Sequence, residues 1–68
     1  MNKEIAIELL EEFKDSMNLN IHMKSGSVIR ISGGIEAIFN NTDDLLTILT
    51  EDDGTYVVPA SSIEFIHV

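Results

Sequence analysis

The apolar residues of this 68-residue chain change their spacing near Asn18, and that change limits the folds available to it. Before Asn18, apolar residues recur every three or four positions, which places them on one face of a helix. After Asn18, apolar and polar residues alternate, as in half-buried strands. The sequence therefore predicts a helix over about residues 3–17, capped by Asn2 and ended by Asn18. Its core-facing residues are Ala6, Leu10, Phe13 and Met17, with Ile5 and Leu9 beside them.

The alternating part of the chain divides into five predicted strands. Gly33 and Gly34 interrupt the second strand, and paired glycines inside a strand indicate a bulge or sharp bend. Asp53-Gly54 predicts a two-residue hairpin turn, because both residues tolerate positive φ. Pro59 is expected to end the fourth strand, since it has no N–H to donate. The predicted strands cover residues 19–24, 27–39, 45–50, 55–58 and 63–68.

One helix followed by a meander of short strands predicts an α+β fold with a single domain over residues 1–68. A sheet of this size with a glycine bend is expected to curve strongly and close into a small five-stranded antiparallel barrel. The helix would then cover an opening or an edge of the barrel.

The strands carry more apolar side chains than one closed sheet can bury, so the sequence predicts a homo-oligomer. A domain this short buries only about 60% of its unfolded surface and often needs further stabilisation. The chain has no Cys, and its two His residues are far apart in sequence, so neither a disulfide nor a metal site is expected. The predicted oligomer interface consists of Tyr56, Val57, Val58, Phe65, Ile66 and Val68.

Two stretches give the chain a resemblance to the Sm-like family, and more closely to its bacterial Hfq branch. They are IHMKSGSVIRISGGIEAIF, read as a first hairpin with a glycine-bent strand, and YVVPASSIEFI, read as the closing strand pair. The resemblance implies a ring in which Thr55–Val58 of one copy pairs with Ile63–Val68 of the next. The family's RNA-binding Lys and His before the last strand are absent, because Pro59–Ser62 contains neither. The resemblance therefore implies the architecture without RNA binding.

The charge of the chain points to a basic partner. Twelve acidic residues against four Lys and Arg give a formal net charge of −8. Such a chain repels nucleic acids and anionic membranes and attracts basic surfaces. The predicted contact residues are on the outer face of the helix and at the tip of the acidic hairpin. They are Glu8, Glu11, Glu12, Asp15, Glu51, Asp52 and Asp53.

The function predicted from these features is non-catalytic docking on a basic partner protein. Its size and charge suit a phage or mobile-element inhibitor of a nucleic-acid-binding or host-defence enzyme. One alternative is an oligomeric ring that holds a small ligand between subunits, and another is a structural subunit of a larger assembly. The candidate ligand loop of that ring comprises Asn40, Asn41, Thr42 and Ser61.

Catalysis is not expected, because no phosphate loop, dinucleotide fingerprint or nucleophile elbow is present. No cofactor is predicted either. His22 is expected to point outward from the first strand, and neither His22 nor His67 lies at a motif spacing from a nucleophile. The N-terminal sequence lacks the pattern of a signal peptide, and no segment is apolar enough to span a membrane, so a cytoplasmic location is expected.

Overall fold

The structure is a computed structural model that describes residues 1–68. It contains one helix and six strands in two three-stranded antiparallel sheets. The first sheet has the strand order β2-β1-β6, and the second has the order β3-β4-β5. The elements are α1 (Lys3–Glu12), β1 (Leu19–Met23), β2 (Val28–Ile31), β3 (Ile35–Asn40), β4 (Leu45–Thr50), β5 (Thr55–Pro59), a 3₁₀ turn (Ala60–Ser62) and β6 (Ile63–His67).

Helix α1 begins where the sequence predicts but ends earlier. The Asn2 side chain accepts hydrogen bonds from the backbone N–H groups of Glu4 and Ile5, so the predicted N-cap is confirmed. The backbone leaves the helical region at Phe13, with φ −104° and ψ 16°. The Lys14 carbonyl then accepts a hydrogen bond from the Ile35 N–H at 2.7 Å. This tertiary bond replaces a further helical turn, so the predicted helix over residues 3–17 was too long.

The early end of α1 changes which of its apolar residues reach the core. Ala6 and Leu10 are fully buried, and Phe13 packs against the core while partly exposed. Met17 lies beyond the helix and is 65% exposed, and Ile5 is 51% exposed. The predicted stripe is therefore confirmed at its centre and wrong at Ile5 and Met17. With ten residues, α1 is also too short to cross a membrane, which takes about 20.

The paired glycines divide the predicted bent strand into two strands that belong to different sheets. Gly34 is buried and has φ +94°, a conformation that disfavours residues with a Cβ atom. The chain leaves the first sheet at Ile31 and enters the second at Ile35. The α+β class is confirmed, but the count is six strands rather than five. Four antiparallel ladders join neighbouring strands within the two sheets.

The core lies between the inward faces of the two sheets and α1. In the second sheet, Ile48 pairs with Ile38 and Tyr56, and Leu46 pairs with Val58. Alternate residues of the same strands face outward, as period-two patterning requires. The buried apolar residues are Ala6, Leu10, Leu19, Ile21, Ile31, Ile35, Leu46, Ile48, Val58, Ala60 and Ile63.

Strand β4 ends and β5 begins where predicted, but the turn between them is not the predicted two-residue turn at Asp53-Gly54. It contains the four residues 51–54, and only Asp53 has a positive φ, at 68°. The buried Thr50 explains the difference, because its hydroxyl accepts a hydrogen bond from the Gly54 N–H at 2.8 Å and bonds to the Asp52 carboxylate. A threonine side chain therefore closes this turn from inside.

Candidate functional site

Two segments that are far apart in sequence meet at Gly34 and Ile35. The Ile35 N–H donates to the Lys14 carbonyl at 2.7 Å, and the Glu51 N–H donates to the Gly34 carbonyl at 3.1 Å. The segment after α1 and the tip of the β4–β5 hairpin therefore flank the same two residues. We call the exposed carboxylates around this junction the acidic end. They are Asp15, Glu36, Glu51, Asp52 and Asp53.

Glu36 is a member of the acidic end that sequence reasoning did not include. It is the extra residue where the β3–β4 register shifts, between Ile35 and Ala37. Glu36 and Asp53 line the same surface depression. The sequence did not identify Glu36 as a candidate contact residue, because alternation within a strand does not reveal which other strand or loop will lie beside that residue. Glu8, Glu11 and Glu12 are exposed on α1, as expected for its outer face.

The acidic end has almost no internal charge compensation. The chain contains one ion pair, between Lys14 and Glu11, at 3.9 Å with both side chains about half exposed. Such surface pairs contribute little. The Lys3 ammonium bonds to the backbone carbonyls of Asn41 and Asp43, at 2.6 Å each, instead of to a carboxylate. The carboxylates of the acidic end are therefore available to an external cation.

The depression beside the acidic end is shallow and polar. It has a volume of about 190 Å³. Sites for drug-sized ligands are usually about 300–1,000 Å³ and mostly apolar. Only one apolar side chain, Leu49, lines it. The surface here suits contact with another macromolecule better than enclosure of a small molecule.

The candidate ligand loop is largely engaged in bonds within the chain. Ser61 donates to the Asp44 carboxylate through its N–H at 2.9 Å and through its hydroxyl at 2.5 Å. The Asn41 side chain accepts a bond from the Thr47 hydroxyl at 2.7 Å. Asn40 and Thr42 are exposed. Two of the four predicted side chains thus already have partners, and the loop is fastened to β4 and to the 3₁₀ turn.

The bonds from Ser61 also affect the protonation of Asp44. The hydroxyl and then the backbone N–H of Ser61 lower the pKa of Asp44, because both stabilise the ionised carboxylate, and the Lys3 charge acts in the same direction. A lowered pKa in the folded state means that these bonds stabilise the fold at pH values above the ordinary aspartate range. Their contribution is lost as the pH falls through the lowered value.

The predicted oligomer interface divides between exposed and inward-facing side chains. Val57, Phe65 and Val68 are 57%, 44% and 56% exposed. Val58 is buried, and Tyr56 and Ile66 pack against the core. Strands β5 and β6 each pair with a neighbour on one side only, so each has a free edge. The three exposed side chains and the two free edges are the parts of this prediction that can reach another molecule.

The outer face of the first sheet carries a cluster of three rings. Phe65 lies opposite His22 in the β1–β6 ladder, and their rings stack with centroids 4.1 Å apart and planes 13° apart. The Nε2 atoms of His22 and His67 are 2.9 Å apart. The alternation in β1 predicted that His22 points outward, which is confirmed. The closeness of His67 depends on the β1–β6 register, which sequence reasoning did not provide.

Comparisons with protein-family models, curated proteins and solved structures find no match. Function is therefore inferred from the geometry and charge of this chain alone.

Proposed function

We propose that this protein is a non-catalytic binding module whose acidic end docks on a basic surface of a partner protein. The observation that carries the proposal is the junction at Gly34 and Ile35, which brings the segment that contains Asp15 next to the acids of the β4–β5 hairpin. A net charge of −8 supports it, because long-range attraction would guide a basic partner to this surface.

The hairpin tip is suited to this role because its backbone is held before a partner arrives. Thr50 bonds to the Gly54 N–H and to the Asp52 carboxylate, and the Glu51 N–H bonds to Gly34. A pre-formed surface loses less conformational entropy on binding than a mobile one. We propose a nucleic-acid-binding protein as the partner, with the carboxylates occupying the basic site that otherwise holds phosphates.

The test neutralises the acidic end and measures association with the captured partner. In the variant Asp15→Asn, Glu36→Gln, Glu51→Gln, we expect the association rate to fall about tenfold or more at low salt, because electrostatic steering is lost. The wild-type rate should fall steeply between low and high ionic strength, and the variant rate should fall less. Stopped-flow or surface-binding kinetics over a salt series measures both effects.

The matched control removes three acids elsewhere, with Glu4→Gln, Asp43→Asn and Glu64→Gln. All three are exposed, so the net charge changes equally and the fold should be kept. A smaller loss of association rate in the control locates the contact at the acidic end. Equal losses would show that net charge alone steers binding. A partner that binds no nucleic acid, or that binds this protein and nucleic acid together, contradicts the proposed mechanism.

A ring of identical copies is a second candidate, favoured by the free edges of β5 and β6. In this arrangement, β5 of one copy extends its sheet by pairing with β6 of the next, and the strands close into the Sm-like barrel ring that the sequence suggests. Exposed strand edges pair readily with other chains unless they are protected. The ring would also cover Val57, Phe65 and Val68, which are exposed in the single chain.

Sedimentation at micromolar concentration tests the ring. We expect wild-type particles several times heavier than the 7.6 kDa chain, and Val57→Asp should reduce them to single chains by placing a charge at the pairing edge. Phe39→Asp is the control, because Phe39 is similarly exposed in the same sheet but lies on β3, the opposite edge strand. A wild-type protein that sediments as a single chain contradicts the ring, as does equal dissociation by both variants.

A further inference from the structure

We infer that His22 and His67 form a binding site for a divalent transition-metal ion, and that Cu(II) is the ion it prefers. The proposal goes beyond partner docking and does not depend on it. It rests on the distance of 2.9 Å between the two Nε2 atoms on the outer face of the first sheet. These are the only two histidines of the chain, and β1 and β6 bring them together across 45 residues of sequence.

The nitrogen separation matches two neighbouring ligands of one metal ion. Metal–nitrogen bonds to imidazole are about 2.0–2.1 Å long, so two ligands at a right angle lie about 2.9 Å apart. Tetrahedral ligands lie about 3.3 Å apart at the same bond length. Square-planar and tetragonal sites are typical of Cu(II) and Ni(II), and Cu(II) binds most tightly in the divalent series. The separation of the two nitrogens in the structure thus matches that of two neighbouring Cu(II) ligands at a right angle.

Without metal, the two nitrogens share a hydrogen bond in which one ring donates its Nε2 proton to the other. Coordination through both Nε2 atoms requires the donor ring to carry its proton on Nδ1 instead. Both rings reach solvent, so this proton can move through water without any change in the charge of the pair. The metal ion then takes the place of the shared proton.

The surroundings of the pair favour a cation and hold one ring in place. Phe65 stacks on His22 with its ring nearly parallel, which restricts rotation of the imidazole. The strongly negative chain raises the local concentration of cations. No group of three or more His, Cys, Asp or Glu side chains occurs in a metal-binding arrangement. The two imidazoles therefore supply the protein ligands, and water completes the coordination.

Titration of the folded protein with Cu(II), in excess Mg²⁺, tests the site. Mg²⁺ occupies carboxylates, because it prefers oxygen ligands, and leaves imidazoles free. We expect one Cu(II) per chain by calorimetry. Paramagnetic broadening in NMR spectra should be strongest for residues 20–23 and 65–67. Broadening centred on residues 51–53 would overturn the proposal, since it would place the ion at the acidic hairpin. Tighter binding of Zn(II) than of Cu(II) would overturn the preference for Cu(II).

Two variants and a control separate the imidazoles from general charge. His22→Gln and His67→Gln should each weaken Cu(II) binding by about tenfold or more, since loss even of a group that only orients a ligand costs 10–100-fold. Glu64→Gln removes a charge from β6 while keeping both rings, and its affinity should match wild type. Unfolding curves without metal establish that each variant is folded. Unchanged affinity in either histidine variant would contradict a two-imidazole site.

Discussion

Leu46→Ala is expected to lower the free energy of unfolding by about 2–5 kcal/mol, the range for truncation of a buried leucine. Leu46 is fully buried in β4, the middle strand of the second sheet, and pairs with Val58 and Asn40. The substitution leaves a cavity that a small core cannot fill by relaxation. A domain of this size is stable by about 3–10 kcal/mol, so this loss is a large part of the total.

Leu45, the residue before Leu46, provides a control because the same Leu→Ala truncation can be made there. Leu45 faces outward from β4 and is 40% exposed, so Leu45→Ala should cost less than about 1 kcal/mol in a single chain. Urea unfolding followed by circular dichroism measures both variants. A larger loss for Leu45→Ala would mean that the register of β4 is inverted, because a shift of one residue exchanges the two faces of a strand.

Gly34→Ala is expected to be strongly destabilising although it adds only one methyl group. Gly34 has φ +94°, and a Cβ atom there would lie 3.1 Å from the Lys14 carbonyl oxygen. That oxygen is held by the Ile35 N–H at 2.7 Å, so it cannot move away without losing its hydrogen bond. Backbone strain costs about 1–2 kcal/mol, and the clash with a fixed carbonyl should raise the total to about 3 kcal/mol.

Gly26→Ala is the control, because it introduces the same backbone strain without a steric clash of the added Cβ atom. Gly26 has φ +95°, but a Cβ atom there would have no neighbour within 4 Å. It should therefore cost only the strain, about 1–2 kcal/mol. Thermal unfolding monitored at several wavelengths compares the two variants. If they lose equal stability, the contact between the segment after α1 and Gly34 does not constrain the fold. The acidic end would then lose the junction on which its assignment depends.

Local patterns were sufficient for the parts of the fold that depend on neighbouring residues. The Asn2 cap, the inward positions of Ala6 and Leu10, and the outward position of His22 follow from side-chain chemistry and periodicity over a few residues. The glycine pair predicted a bend at residues 33–34, because tolerance of positive φ is a property of glycine itself, but not that the bend divides two strands of different sheets. The α+β class and the acidic character of the surface follow from the same local information.

Contacts between distant residues set the remaining features, and no short window of sequence contains them. The Lys14–Ile35 hydrogen bond brings the segment that contains Asp15 to the two residues that the hairpin tip also contacts. The β1–β6 register places His67 within hydrogen-bonding distance of His22, although 45 residues separate them. Periodicity tells which face of a strand a residue occupies. Which residues meet across that face depends on strand pairing, and packing and long-range hydrogen bonds select that pairing.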